Sequence, residues 1–414
     1  MTRYPGCGPI WRAAYLLACI FILNGCGAEE RVSDITEHVV EARPFAGDPE
    51  VLFSSVGTLA ISPAGQLFVL DGREARIYGF NSDGSDYVVF GRQGEGPGEL
   101  QFPGALGVSD SAVRVTDHAT GRETRFSTGG SFLETADLPD RATTVVYGPG
   151  GHLAFLGSTE VDSIAAVYDA EGALLYAAGA PVGDRRVVLN MAEIKSEINA
   201  GRIPDVLYNL SNDGVLDAEG GLWFIRSASA EIARYDAKGT LQWERSYADL
   251  PEADRILERF FERNAEIDAP NSFAPLSYFQ GAALADDKLW LLVALPDDEP
   301  ALILVLNEEG EIEHRLRFPD AAGAVSIAVG SNADTVYLGI GTTATIMTAE
   351  VPRDVPGGRC RCSGIFGPHP IVFSPLEQLE GFANHTVVHL CSAISNSSPS
   401  GPLQGSPWPD IPVD

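Results

Sequence analysis

The stretch TLAISPAGQLFVLDGREARIYGFNSDG, Thr58 to Gly84, decides the fold. It reads as an apolar strand, a tight turn holding Gly65, a second apolar strand ending in Asp71, a polar loop, a third strand ending in Phe80, and a closing Asn-x-x-Gly. β-branched and aromatic residues bounded by Gly-rich turns favour strands over helices. The strands are apolar on both faces, so such a sheet must be covered on two sides.

The same order of features returns along the chain. Copies run from Ala105 to Gly130, Val145 to Gly172, Gly214 to Gly239 and Gly281 to Gly310, with a weaker one from Val325 to Ala349. The residues four before the closing glycines are Phe80, Phe126, Tyr168, Tyr235 and Leu306, in steps of 46, 42, 67 and 71 residues. Two near-regular periods are thus followed by two that carry insertions. A period in the forties with several short strands per unit is the signature of propeller blades, and six copies predict an all-β, six-bladed propeller of four-stranded antiparallel blades. A ring must also close, and the segment from Ile35 to Phe45 is expected to supply the outer strand that the sixth copy lacks.

Between the first two copies stands GRQGEGPGELQFPG, Gly91 to Gly104. A phosphate-binding loop would need Gly-x4-Gly-Lys, and no lysine follows Gly96; a dinucleotide fingerprint would need glycine where Glu99 stands. The stretch therefore reads as a blade-to-blade connector in which glycine supplies positive φ and proline fixes the turn. LFVLDGREARIYGFNSDG and GEGPGELQFPGALGVSD resemble the NHL-repeat and related six-bladed propeller proteins, clearly over Val56 to Leu133 and more generally up to Val351. Among propellers related to that family are lactonases and lyases that hold a divalent metal in the central channel. The resemblance therefore implies, as an alternative to binding, a metal-dependent hydrolase or lyase.

The two insertions are expected to hold helices. NMAEIKSEINA lies within 183–213 and is stopped by Gly201; within 249–277, Asp249 with Glu252 resembles a capping box ahead of the stripe Ile256, Leu257, Phe260 and Phe261. That stripe should dock on the propeller, a partner-binding face being the other reading. In an up-and-down blade the link to the next blade and the turn between the second and third strands open on one side, so all three long links share a face. Loops on a rigid scaffold are where binding sites concentrate. The same rim should carry Asp71, Arg73, Glu74, Asp117, His118, Arg122 and Arg226, although Asp71 and Asp117 occupy a repeated position that also suits turn hydrogen bonding. No nucleophile motif is present, and His38, His118, His152 and His314 show no pair at metal-ligand spacing. No cofactor is implied, but abundant acidic residues leave a calcium site open.

The ends and the charge bear on location. Arg3 and Arg12 accompany an apolar run from Ala13 to Leu23, too short for a spanning helix and suited to a secretory signal. It ends in Leu23-Asn24-Gly25-Cys26, which resembles the bacterial lipobox. Residues 1–25 then form a lipoprotein signal, Cys26 is the lipid attachment point, and Gly27 favours the outer membrane over retention at the inner one. An ordinary signal peptide or a membrane stub, with an incidental cysteine, is the other reading. Segment 26–50 is a linker with the ring-closing strand, 51–351 the propeller, and 352–414 an irregular Pro/Ser-rich tail. Formal charge is −29, with 57 acidic and 28 basic residues, which argues against nucleic acid as a partner. Of six cysteines only Cys360, Cys362 and Cys391 would remain unmodified, so at most one internal disulfide is expected. With His385 and His389 they could instead hold zinc, at an untypical spacing. The composite expectation is a monomeric, lipid-anchored periplasmic propeller that binds a protein or small molecule on its long-loop face.

Overall fold

The computed structural model of the protein describes residues 35, 37–45, 53–140, 144–157, 163–183 and 190–352. Six antiparallel sheets succeed one another, here blades I to VI, spanning 58–90, 103–137, 144–178, 212–246, 279–318 and 324–350. The first strand of each blade lies against the first strand of the next, and that of blade VI against that of blade I, so the sheets close a ring. Polar side chains stitch alternate joints of the inner ring. Thr58 Oγ1 donates to the Gly104 carbonyl at 3.3 Å, Thr144 Oγ1 to the Asn212 carbonyl at 3.0 Å, and Gln280 Nε2 to the Ala324 carbonyl.

Burial follows position in the blade. Second strands such as Leu67–Asp71 and Leu153–Leu156 are buried throughout, because both of their faces meet other blades. The outer strand Leu241–Ser246 is exposed at all but one position. Stacking also explains the closing glycine of three repeats. Gly130, Gly239 and Gly310 have φ of 87°, 75° and 79°, a conformation that favours glycine. A Cβ on each would also fall 2.8 Å from Phe90, 2.6 Å from Tyr176 and 2.5 Å from Trp243, aromatic residues on the outer strand of the preceding blade. The hairpin thus forms a seat for its neighbour's ring. Polar atoms of the same aromatics add to the joint: Tyr176 Oη donates to the Gly220 carbonyl at 2.8 Å and Trp243 Nε1 to the Glu308 carbonyl at 2.7 Å.

The N-terminal segment divides its pairing between two blades. Arg43–Pro44 runs antiparallel to Thr345–Glu350 and completes blade VI as its fourth strand. Glu37–Val39, expected in that same outer strand, instead runs parallel to Ile312–Phe318 as a fifth strand of blade V. Charge accounts for the difference. Glu37 accepts from Arg317 through both carboxylate oxygens, at 3.1 and 2.8 Å, and this hydrogen bonding holds its carboxyl below the usual range.

Both insertions are helical. Helix α1 (Met191–Asn199) is capped by Asn190, whose Oδ1 accepts from Glu193 N at 3.3 Å, and Gly201 follows it at φ 74°. A single turn, α2 (Leu207–Leu210), leads into blade IV. Helix α3 (Ala253–Glu266) buries Ala253, Ile256 and Phe260 in the core shared by blades III to V, with Leu257 and Phe261 packed against it, so its stripe docks on the propeller. Its start departs from expectation. Glu252 makes no capping bond, because its buried carboxylate is drawn to Arg315 at 2.6 Å and Arg317 at 3.3 Å. The second insertion is thereby tied to Ile312–Phe318, the strand that pairs with Glu37–Val39. Lys195 Nζ, buried on α1, donates to the Asn264 carbonyl of α3 and ties the two insertions together.

A Gly310→Ala substitution should destabilise the protein by about 1–3 kcal/mol, since it combines a disfavoured φ with intrusion on Trp243. Urea unfolding followed by tryptophan fluorescence checks this, and Gly201→Ala, which meets no neighbour within 4 Å, should cost less.

Candidate functional site on the long-loop face

Strand direction gives the disc two unlike faces. Two- to six-residue hairpins cover one, including those at Asp169–Ala173, Asp217–Gly221 and Asp236–Thr240. Onto the other open the links between blades, α1 to α3 among them, and the turns between second and third strands. Asp71 and Asp117 show how that face is held together. Asp71 accepts from Ser54 N at 2.6 Å and Ser55 Oγ at 2.8 Å in the incoming link, and from Arg73 N and Glu74 N in its own turn. Asp117 repeats the arrangement one blade on. It accepts from Gln101 N at 2.6 Å and Phe102 N at 3.2 Å in the link, and from Ala119 N and Thr120 N in the turn. Each buried carboxylate meets several backbone donors, so each clamps a link to a turn.

The remaining expected residues are spread around the rim. Arg73 and Glu74 are exposed beside the Asp71 clamp. Arg122 is exposed and pairs with Asp137 at 3.1 Å. Arg226, on blade IV, is held by Glu231 at 3.0 Å and by the Ala180 carbonyl at 3.3 Å. Residues of blades I and II are neighbours; Arg226 lies two blades further on. The Gly-rich connector cradles an anion, but that anion is its own Glu99. The Glu99 carboxylate accepts from Gly96 N at 2.8 Å and from Arg92 Nε at 2.7 Å, and fills the space beside Gly94 where a Cβ would collide with it. These bonds, Gly96 first, hold its carboxyl below the usual range.

His118 is placed differently from the other candidates. It lines a cavity of about 130 Å³ at the junction of blades II and III, with Thr120, Leu138, Asp140, Val145 and Phe155 among its walls. Tyr168 Oη donates to Asp140 Oδ2 at 3.0 Å. His118 Nε2 is buried without a hydrogen-bond partner, and burial, outweighing the attraction of Asp117, lowers the imidazole pKa. The ring is therefore neutral at pH 7, and this nitrogen is free to donate or accept according to tautomer.

Sequence spacing missed two arrangements. Asn212 and Asp213 head the inner strand of blade IV, fully buried, and Asn212 Oδ1 lacks a partner; burial, opposed by a bond from Gly214 N, raises the Asp213 pKa well above the carboxylate range. The signal available was a polar pair where the other inner strands open on threonine, proline, phenylalanine or alanine. His38 and His314, 276 positions apart in the chain, bring their rings to 5.6 Å across the parallel seam of blade V. Burial and His38 lower the His314 pKa against the opposing pull of Glu313. Among the described residues no group of three or more His, Cys, Asp and Glu stands close enough to hold a metal, and no helix is long and apolar enough to cross a membrane. Cys26, Cys360, Cys362, Cys391, His385 and His389, and the tail after 352, lie outside the described residues.

Residues 33–169 match the profile of a family described as a 6-bladed beta-propeller. The chain is a six-bladed β-propeller. Solved structures similar to this propeller include a protein from Bacteroides fragilis described as exported, 13% identical, covering 78% of this chain and 96% of that one at a TM-score of 0.48. Regucalcin from Agrobacterium tumefaciens, described as calcium-binding, is 10% identical, with coverage of 76% and 95% and a TM-score of 0.46. Virginiamycin B lyase from Staphylococcus aureus is 16% identical, with coverage of 75% and 88% and a TM-score of 0.38. At these identities the likeness concerns fold alone. No curated protein matches the chain.

Both lowered histidines give the propeller a signed pH dependence. Their contribution to stability is complete above the unfolded-chain pKa of about 6.5 and is lost as pH falls through that value toward their lower folded pKa values; below those it stops falling. The Glu37 contribution is lost in a separate window, below about pH 4.3. The urea midpoint should therefore drop between about pH 7.5 and about pH 5.5, with the drop reduced in His118→Gln and His314→Gln. An equal drop in both variants contradicts this assignment.

Proposed function

We propose that this propeller is a binding protein of the bacterial cell envelope, tethered through an acylated Cys26 to the outer membrane and facing the periplasm, that engages a protein or small-molecule ligand on its long-loop face. The observation that carries the binding reading is His118. A neutral imidazole nitrogen is buried without a partner on the wall of a cavity that opens on the rim, and such an atom is costly unless a ligand or water meets it. Around it the framework is rigid, since Asp71 and Asp117 fix links and turns of blades I and II. Arg73 and Arg122, exposed on the same rim, and the half-exposed ring of Phe102 edge-on to His118 would widen the contact. Asp71, Asp117 and Arg226 serve mainly by holding loops in place. No metal or cofactor enters this reading.

The experiment places a photo-crosslinking residue at Ala119, on the long-loop face, and at Asp110, on the hairpin face of the same blade, in cells producing the full chain. Crosslinks at position 119 that disappear with His118→Ala, and none at 110, are the expected result. Crosslinks at 110 alone, or at 119 regardless of His118, would overturn the site. Labelling with radioactive palmitate, lost in Cys26→Ser, tests the anchor separately.

A further inference from the structure

Both places where the described chain enters and leaves the ring lie toward the hairpin face. Glu37–Val39 runs parallel to Ile312–Phe318, a strand that begins at the Asn307–Glu311 hairpin and ends at a blade-to-blade link. The chain ahead of Glu37 therefore approaches from the hairpin side of blade V. At the other end, Thr345–Glu350 runs from the long-loop face to the hairpin face, where Val351 N donates to the carbonyl of Asp334 at 2.9 Å, beside the last hairpin of blade VI. The long-loop face carries neither entry nor exit.

We propose that the hairpin face is turned toward the membrane and that the long-loop face, with the His118 cavity and helices α1 to α3, is turned away from it. This orientation rests on the anchoring through Cys26 proposed above. Eleven residue steps separate Cys26 from Glu37, a reach of at most about 36–40 Å. Six-residue strands such as Thr345–Glu350 span about 20 Å, so presenting the long-loop face to the bilayer would oblige the tether to double back along most of the disc edge. Charge fixes the mode of approach. The hairpin tips expose Asp83, Glu171, Glu219, Asp286, Asp287 and Glu308, with Lys238 as a lone exposed cation among them. Such a face is repelled by anionic headgroups and stands off from the surface instead of lying on it, and salt should relax the separation. Partners that approach from the periplasm then meet the long-loop face first.

The test is energy transfer to acceptor-labelled lipid in phosphatidylcholine vesicles. Donors are introduced by click chemistry on a noncanonical residue at position 298, in the long-loop turn of blade V, or at 308, in its hairpin. Mature acylated protein is used, with the acyl chain verified by mass spectrometry. Transfer several-fold more efficient from 308 than from 298 is expected; equal or reversed efficiencies overturn the orientation. If mass spectrometry finds no acyl chain, the anchoring reading fails. The orientation is then tested on the same chain, with Cys7, Cys19, Cys360, Cys362 and Cys391 changed to serine and Cys26 coupled to a maleimide lipid. There too, greater transfer from 308 supports the exit face and the opposite result overturns it.

Discussion

Face-to-face stacking of sheets that are apolar on both sides is the interaction on which this molecule depends. No single blade can shield its second strand from water, and Leu67–Asp71 or Leu153–Leu156 would expose an entire apolar surface if either neighbour were missing. The solution is circular, so the last blade must meet the first. Small residues and glycine serve this geometry wherever one blade's aromatic ring lies on the next blade's hairpin, as Trp243 does at Gly310. In three of the repeats, at Gly130, Gly239 and Gly310, the closing glycine thus records a contact between blades as well as a turn within one.

Closure draws on residues far apart in sequence. Glu37 from the N-terminal strand and Glu252 from the second insertion converge on Arg315 and Arg317 of blade V, so an arm, a helix and an outer strand meet at one charged joint. Arg315 and Glu252 are buried, and removing one would strip the other of its closest partner and leave it a single longer pair, Glu37 at 3.6 Å for Arg315 or Arg317 at 3.3 Å for Glu252. A single joint thereby holds both the closing arm and the insertion that roofs part of the long-loop face.

The architecture was legible because it is written in local, repeated signals: strand periodicity, turn glycines and a spacing that stretches where helices are inserted. Blade number, strand order within a blade, both helical insertions and the docking of the α3 stripe follow from them. What escaped sequence reading depends on long-range pairing. Asp249 and Glu252 have the spacing of a cap, yet Arg315, 63 positions away, claims the Glu252 carboxylate. The N-terminal arm has strand character throughout, but nothing local says that three of its residues prefer blade V. The site was less legible still. Asp71 and Asp117 announced themselves as a repeated turn position and serve as one, whereas the significance of His118 lies in a cavity formed by residues from two blades and visible only once they are packed.

The most direct measurement concerns the closing strand itself. Arg43 and Thr348 are antiparallel Cα partners, a pairing that places Cα atoms about 4.5–5.5 Å apart, within reach of a disulfide. In a chain whose six native cysteines are serine, the pair Arg43→Cys and Thr348→Cys should oxidise to a 43–348 crosslink, identified by peptide mass mapping, and raise the urea midpoint relative to the reduced form. Failure to crosslink in protein whose circular dichroism matches the parent would contradict a ring closed by its N-terminal strand.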